Sequence, residues 1–289
     1  MRPPLARVFV QTLLLSVPLL AWAQQPRLVH GLWVWKTPAL LVAPHAAQSL
    51  RDFCRSEHIN EVYVAFTAAA KAGPSEENQL AGLIRVLHKS DIQVEALLSS
   101  TDADEPGKPR EKLLGHIRDV IAFNQTHASD AFDAIHLDIE PQQRPENKGP
   151  GNLNFLPGLV DAYRAARHLA EPAHLTLNAD IQKKLLEGDL AQRRSLLSSL
   201  PRFTLMLYEL SSPADGKSLE QKEDKLREES EKYMEMAFQG LTDPHLAKIA
   251  IGLRTPDYGP LMPQMLKTLD DTLRPNPHYL GWAWHSYVP

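Results

Sequence analysis

The stretch FDAIHLDIEP, residues 132–141, reads as a buried strand that carries three polar side chains at alternate positions. Side chains at every second position of a strand share one face, so His136, Asp138 and Glu140 are expected to point one way and the aliphatic residues between them the other. The sequence that follows, PQQRPENKGPGN, is polar and rich in Pro and Gly, which is typical of a loop. We therefore expect a core strand that ends in acidic side chains beside an accessible loop.

Short runs rich in β-branched and aromatic residues alternate along the chain with longer segments of helical periodicity. Strands are predicted at 28–36, 60–67, 92–100, 132–140, 174–180, 203–210, 247–254 and 279–287. Helices are predicted at 45–57, 75–90, 110–126, 153–170, 183–199, 217–239 and 260–273. Each strand–helix unit has the length of a right-handed crossover. Eight such units predict an α/β fold, a single (β/α)8 TIM barrel closed by pairing of its first and last strands.

The first 23 residues have the pattern of a secretory signal peptide. Arg2 and Arg7 precede the apolar run VFVQTLLLSVPLLAWA, which ends in the small-residue pattern Ala-Trp-Ala. We expect residues 24–289 to form the mature barrel domain, periplasmic or secreted, without stable membrane insertion after cleavage. An uncleaved membrane anchor is the alternative, although the apolar core is short for a bilayer span.

Charge and cysteine content narrow the possible partners. Loss of Arg2 and Arg7 would leave 29 basic residues against 35 acidic ones, a balance that argues against a nucleic-acid partner. Cys54 is the only cysteine, so the chain cannot form an internal disulfide and must depend on an ordinary hydrophobic core.

The paired acids of the fourth strand suggest acid catalysis. Chemistry in a TIM barrel lies at the carboxyl ends of the strands, where Glu140 is expected. Asp138 lies one inward position below Glu140. The rise per residue of a strand places the Cα atoms of the two residues about 7 Å apart. Two carboxyls in a poorly hydrated pocket cannot both ionise freely, so one is expected to keep a proton near neutral pH and to serve as a general acid.

The strand-four segment resembles the signature D-x-x-D-x-D-x-E of family 18 glycoside hydrolases, the chitinases and endo-β-N-acetylglucosaminidases. Here the positions hold Asp133, His136, Asp138 and Glu140, so three of the four acids match and a histidine replaces the second.

Weaker similarities extend to other strands. FTLMLYEL is similar to the strand-six pattern M-x-Y-D of the family, with Tyr208 followed by Glu209 instead of Asp. VYVAFT is similar to its strand-two Y-x-F run, and ALLSS offers only part of its strand-three serine-glycine motif. LGWAWHSY occupies the position of a strand-eight tryptophan under the bound sugar, which Trp282 or Trp284 could supply.

The resemblance implies an exported glycosidase that cleaves a β-linked, N-acetylhexosamine-containing glycan with retention and without a cofactor or metal. Glu140 would protonate the leaving oxygen while the substrate's own 2-acetamido group attacks, Asp138 would orient that group, and the Tyr208 hydroxyl would hold its carbonyl oxygen. The protein is expected to be a monomer with the glycan as its partner. Further substrate-binding candidates are His136, Trp33, Trp35, Trp282, Trp284, Glu209 and Asp180.

Three alternatives remain at this stage. The histidine at position 136 is compatible with a catalytically inactive barrel that binds a glycan through its tryptophans, and a neutral imidazole donating to Asp138 would favour the ionised carboxylate. A metal site could be built from His136, Asp138, Glu140 and His285. An ordinary two-carboxylate mechanism would use Glu209 or Asp180 as the second acid.

Overall fold

The computed structural model describes residues 27–66, 74–149, 151–212 and 214–288, and these contain a closed barrel of eight parallel strands. The strands are β1 (Val29–Val34), β2 (Glu61–Ala65), β3 (Gln93–Ser100), β4 (Ala134–Ile139), β5 (Thr176–Gln182), β6 (Arg202–Met206), β7 (Lys248–Arg254) and β8 (Tyr279–His285). Each strand pairs with the next, and β8 pairs with β1. The predicted single (β/α)8 barrel is thus confirmed. The predicted signal peptide lies outside the described residues and stays a prediction.

Helices follow the strands in the described part of the chain. They are α1 (Thr37–Val42), α2 (Ala46–Ser56), α3 (Pro74–His88), α4 (Lys108–Thr126), α5 (Leu156–Ala170), α6 (Leu190–Leu197), α7 (Leu219–Phe238), α8 (Thr255–Tyr258) and α9 (Met262–Leu273). The short α1 and α8 were not predicted, because helices of one or two turns show little periodicity. The helix predicted at 183–199 is interrupted before α6, which begins with a capping box formed by Asp189 and Gln192. None of the described helices combines the length and apolarity that a bilayer span requires.

The sixth strand is shorter than predicted and leaves two candidate residues in a loop. β6 ends at Met206, whereas the prediction continued to residue 210. Glu209 has a φ of 66°, which is incompatible with a strand, and its backbone N–H donates to Asp257 Oδ2 at 2.7 Å. Tyr208 and Glu209 therefore lie in the loop that follows β6.

The barrel wall separates two apolar clusters. The larger one lies between strands and helices and includes Ile135, Leu137 and Ile139, so the alternation predicted for β4 is correct. The smaller one fills the barrel interior and consists of Trp33, Tyr63, Leu97 and Ala283.

Two glycines make room for the large interior rings. A Cβ atom on Gly31 would lie 2.3 Å from the Tyr63 hydroxyl, and one on Gly252 would lie 2.9 Å from the Trp33 ring. A side chain at either position would therefore displace an interior aromatic residue.

Candidate active site

A cleft of about 750 Å³ opens at the carboxyl ends of the strands, and both acids of the strand-four motif line it. Its other walls come from the ends of β1 and β3, the start of α4 and the loop after β4. The lining residues are Trp35, Ser99, Ser100, Thr101, Asp102, Pro109, Lys112, Leu113, His116, Asp138, Glu140 and Gln143. The position agrees with the location of active sites in TIM barrels.

Glu140 follows the last residue of β4 and is surrounded by amide donors. Its Oε1 accepts from Gln182 Nε2 at 2.6 Å and from Gln142 Nε2 at 3.2 Å, and its Oε2 accepts from Gln143 Nε2. Burial raises the pKa of Glu140 and the charge of Asp180 adds to this, although the donors Gln182 and Gln142 act in the opposite direction. The net shift favours a carboxyl that keeps its proton longer than an exposed glutamate does.

Asp138 is only 8% exposed, and its Oδ1 atom is buried without a hydrogen-bond partner among the described residues. Burial raises the pKa of Asp138 well above its usual range, and the charges of Asp180 and Glu140 raise it further against an opposing effect of His136. Asp138 therefore keeps its proton to a higher pH than an exposed aspartate does. An unsatisfied buried oxygen at the cleft is a place where a ligand atom can form a hydrogen bond.

His136 does not donate to Asp138, which corrects the contact considered from the sequence. Its Nε2 lies 2.8 Å from Asp180 Oδ1 and its Nδ1 lies 2.9 Å from Glu95 Oε2. Burial alone would lower the pKa of His136, but Asp180 and Glu95 raise it to about 10. With a carboxylate at each ring nitrogen, His136 is an imidazolium that donates in both directions.

The charged contacts continue toward the amino end of the barrel. Glu95 Oε1 also accepts from Asn178 Nδ2 at 2.7 Å and from Arg202 Nη2 at 2.5 Å. Arg202 in turn donates to both oxygens of Glu61, at 2.5 and 3.0 Å. His136 is thus part of a buried chain of alternating charges beneath the cleft.

The two glutamates of this chain differ in their proton affinity. Burial acts against ionisation of Glu95, but Arg202 and His136 lower its pKa to about 2. Burial, followed by the charge of Glu95, raises the pKa of Glu61 to about 7, against the effect of Arg202. Glu95 is therefore the fixed anion that holds His136 from below.

Asp180 lies inside the barrel wall and is 1% exposed. Its Oδ2 accepts from the Trp33 indole Nε1 at 3.0 Å, and its Oδ1 accepts from His136. The carboxylate is thus enclosed by two protein donors, and we place it behind the cleft surface instead of on it.

The four tryptophan candidates divide into three positions. Trp33 is buried in the barrel interior, and Trp35 lines the cleft. Trp282 and Trp284 point outward between barrel and helices, where Trp282 stacks on His30 and Trp284 donates to Thr255 Oγ1 at 2.8 Å. They do not lie beneath the cleft, contrary to the position expected for a sugar-binding tryptophan on β8.

Tyr208 and Glu209 diverge although they are adjacent. The Tyr208 hydroxyl is buried without a partner among the described residues, and burial together with the charges of Asp180, Asp138 and Glu140 raises its pKa. The Glu209 side chain is 76% exposed and lies 3.8 Å from an Arg254 nitrogen. The Tyr208 hydroxyl therefore lies close to the acidic side chains of the site, whereas the Glu209 carboxylate extends into solvent.

Several contacts of the site were not anticipated. The amides of Gln142, Gln143 and Gln182 surround Glu140, and His285 accepts from the Trp35 Nε1 at 2.9 Å. Gln182 could have been found because it shares a strand face with Asp180 two positions earlier. Within the described residues no three or more His, Cys, Asp or Glu side chains are arranged to hold a metal ion, so the metal alternative has no support there.

Comparison with known proteins shows the fold. No protein-family profile and no curated protein sequence match the chain. The spore cortex-lytic enzyme SleL of Bacillus megaterium QM B1551 is similar in structure, with a TM-score of 0.56, 11% identity and coverage of 91% of this chain and 72% of that one.

Two further solved structures have the same architecture. A chitinase from Bacteroides thetaiotaomicron matches with a TM-score of 0.56 and 13% identity over 90% of this chain and 89% of that one. A GH18 chitinase from Pseudoalteromonas aurantia matches with a TM-score of 0.52 and 11% identity over 90% and 94% of the two chains. The resemblance to family 18 glycoside hydrolases is thus confirmed as a likeness of fold.

Proposed function

We propose that this protein is an exported glycoside hydrolase in which Glu140 is the general acid. Its substrate is a β-linked glycan that contains N-acetylhexosamine. The observation that carries the proposal is the pair formed by Asp138 and Glu140, two carboxyls with raised pKa values that line the same cleft. Stability alone gives little reason for two partly desolvated acids at a barrel mouth.

The surroundings of the pair support acid catalysis assisted by the substrate. Glu140 gives its proton to the leaving glycosidic oxygen as the bond to the anomeric carbon breaks, and the carbonyl oxygen of the 2-acetamido group forms the new bond to that carbon. Asp138 Oδ1 has no protein partner among the described residues and accepts the acetamide N–H. The unpartnered Tyr208 hydroxyl donates to the acetamide oxygen.

The two acids considered for an ordinary two-carboxylate mechanism are poorly placed for it. The Asp180 carboxylate is enclosed by Trp33 and His136, and the Glu209 side chain extends into solvent. Neither lines the cleft that contains Glu140. Solved structures with the same barrel include two chitinases and a spore cortex-lytic enzyme, which favours a glycan as the substrate.

One feature favours the alternative of a catalytically inactive glycan-binding barrel. The amides of Gln142, Gln143 and Gln182 all donate to Glu140, and such donors favour its ionised form over the protonated form that an acid catalyst requires. The two candidates predict the same ligand and differ in whether it is cleaved.

The test is turnover of aryl glycosides and glycan polymers by the wild type and by Glu140→Gln. This substitution keeps the shape of the side chain and removes the transferable proton, so we expect hydrolysis to fall by about 10² to 10⁴-fold while glycan binding persists. Glu228→Gln, which alters an exposed carboxylate on α7, is the matched control and should retain full activity. Equal turnover by the wild type and Glu140→Gln would remove Glu140 from the role, and binding without turnover by the wild type would favour the inactive barrel.

A further inference from the structure

Asp138 and Asp180 are neighbours across the interface between β4 and β5. The register pairs His136 with Asn178 and Leu137 with Ala179, so the next residues of the two strands stand side by side. Both side chains belong to the inner face of the wall, because Asp180 contacts the interior residues Trp33 and His136 and Asp138 lines the cleft. Two carboxyls at this spacing cannot ionise independently.

The two carboxyls have opposite surroundings. Both oxygens of Asp180 accept hydrogen bonds, from the Trp33 indole at 3.0 Å and from His136 at 2.8 Å, and the Tyr163 hydroxyl approaches the Asp180 backbone carbonyl at 3.4 Å. Asp138 Oδ1 has no such partner among the described residues. Donors stabilise the ionised form of a carboxyl, so the negative charge of the pair belongs on Asp180 and the proton on Asp138.

We propose that Asp180 is a positioning residue whose fixed negative charge, held by Trp33 and His136, keeps Asp138 and Glu140 in their proton-bearing forms. Its catalytic consequence rests on the proposed function, whereas its effect on the protonation of Asp138 does not. Neutral Asp138 offers its carbonyl oxygen to the substrate amide, and protonated Glu140 supplies the proton for the leaving group.

His136 cannot accept the proton of Asp138. Both of its ring nitrogens donate to carboxylates, to Asp180 and to Glu95, so no lone pair is left to accept another proton. Histidine therefore acts here as a fixed cation that orients Asp180 and not as a proton shuttle.

Other charged or titratable groups surround the two aspartates from several elements. They are Glu140 after β4, Tyr163 on α5, Tyr208 after β6, Arg254 at the end of β7 and His285 at the end of β8. Burial lowers the pKa of His285, so this residue is neutral above its ordinary titration range. Arg254 contacts Asp257 and lies over the Tyr208 ring. Among these groups Asp180 is the carboxylate that accepts from the indole of Trp33 and from the imidazolium of His136.

The first measurement needs neither a substrate nor a variant. The carboxyl carbon of Asp138 in protein labelled with ¹³C-aspartate distinguishes the protonated from the ionised acid by its chemical shift. We expect Asp138 to remain protonated at pH 7 in the wild type. An ionised Asp138 at that pH overturns the proposal.

The second measurement uses Asp180→Asn and the charge-preserving Asp180→Glu. Removing the charge should lower the pKa of both Asp138 and Glu140, and the basic limb of the kcat/KM profile, which follows the general acid Glu140, should move to lower pH by about one unit. Asp180→Glu should leave the limb close to its wild-type position even where kcat falls. A purely structural role would reduce activity without moving the limb.

The matched control is Asp270→Asn. His30 and Asp270 form another histidine–aspartate contact, 3.1 Å long, outside the barrel wall. Its loss should leave both the Asp138 titration and the pH profile unchanged. A wild type inactive on every glycoside refutes the proposed function while the ¹³C titration still decides the role of Asp180. An active wild type with an unmoved limb in Asp180→Asn refutes the role of Asp180 alone.

Discussion

Trp284 and His285, adjacent at the end of β8, point to opposite sides of the barrel wall. Trp284 donates to Thr255 Oγ1 on the outer side, whereas His285 Nε2 accepts from the Trp35 indole at the cleft. The aromatic surface available to a sugar is therefore that of Trp35, which follows β1, and His285 at the end of β8 orients it.

Trp35→Ala should weaken glycan binding on the order of tenfold, because it removes the tryptophan that lines the cleft. Trp284→Phe should leave the affinity unchanged, because Trp284 packs against Phe53 on the outer side. Calorimetry with an inactive Glu140→Gln background measures both. Equal losses of affinity in the two variants would contradict the assignment of Trp35.

Tyr208→Phe should change activity and stability in different directions. The buried Tyr208 hydroxyl has no partner among the described residues, so its removal should leave the melting temperature equal to or above that of the wild type. Loss of a donor to the acetamide oxygen should lower kcat/KM by about 10²-fold. Thermal melting and steady-state kinetics test the pair of effects, and a destabilised variant with full activity would contradict both.

Asp138→Asn should become more stable relative to the wild type as the pH rises. The folded-state pKa of Asp138 is raised well above its ordinary value of 3.8, so its contribution to stability is complete below that value and is lost as the pH rises toward the folded-state pKa. Asparagine cannot ionise and avoids this loss. We expect the Tm difference to change in favour of the variant by at least about 3 °C between pH 4 and pH 8.

Asp130→Asn is the control of opposite sign for that experiment. The hydrogen bond from Arg85 lowers the pKa of Asp130, so its stabilising contribution is present above the ordinary pKa and is lost as the pH falls. Its Tm difference should therefore stay nearly constant between pH 4 and pH 8 and move in favour of the variant only as the pH falls below that ordinary pKa. The same trend in both variants would show that the pH dependence has another origin.

Gln182→Met should move the basic limb of the kcat/KM profile to higher pH, the direction opposite to that expected for Asp180→Asn. Gln182 donates to Glu140 at 2.6 Å and thereby stabilises its ionised form. Without this donor the pKa of Glu140 should rise by about one unit. Gln264→Met, which removes a 2.8 Å contact to Glu223 between outer helices, should leave the profile unchanged.

Substrates with a 2-hydroxyl in place of the 2-acetamido group should be hydrolysed very poorly even where they bind. In the proposed mechanism the intramolecular attack contributes many kilocalories through proximity, and neither Asp180 nor Glu209 lines the cleft to replace it. A stable thiazoline mimic of the cyclised sugar should inhibit, because it resembles the high-energy intermediate. Rapid hydrolysis of 2-hydroxy glycosides without thiazoline inhibition would point to a two-carboxylate mechanism instead.

The sequence predicted what depends on local periodicity and missed what depends on contacts across strands. The alternation around His136 placed Asp138 and Glu140 together on the inner face, as the structure shows. The partners of His136, however, come from β3 and β5, and no pattern within β4 reveals which residues stand beside it.

The last strand shows a second reason why the sequence could not predict every side-chain orientation. Pairing with β7 shifts register between Ile249 and Ala250, next to Gly281, whose φ is 137°. Parity along a strand can be read from sequence only while the ladder is regular, because one extra residue moves the following side chains to the other face. Which of Trp284 and His285 points into the barrel therefore had to be seen in the structure.

The chain of contacts from Glu61 through Arg202, Glu95 and His136 to Asp180 also constrains how this barrel can evolve. Replacing one member alone leaves a buried charge without its counterion, which is far more destabilising than exchanging a matched pair. Substitutions at these five positions are therefore strongly epistatic, and an aspartate at position 136 would be accepted only alongside compensating changes on β3 or β5.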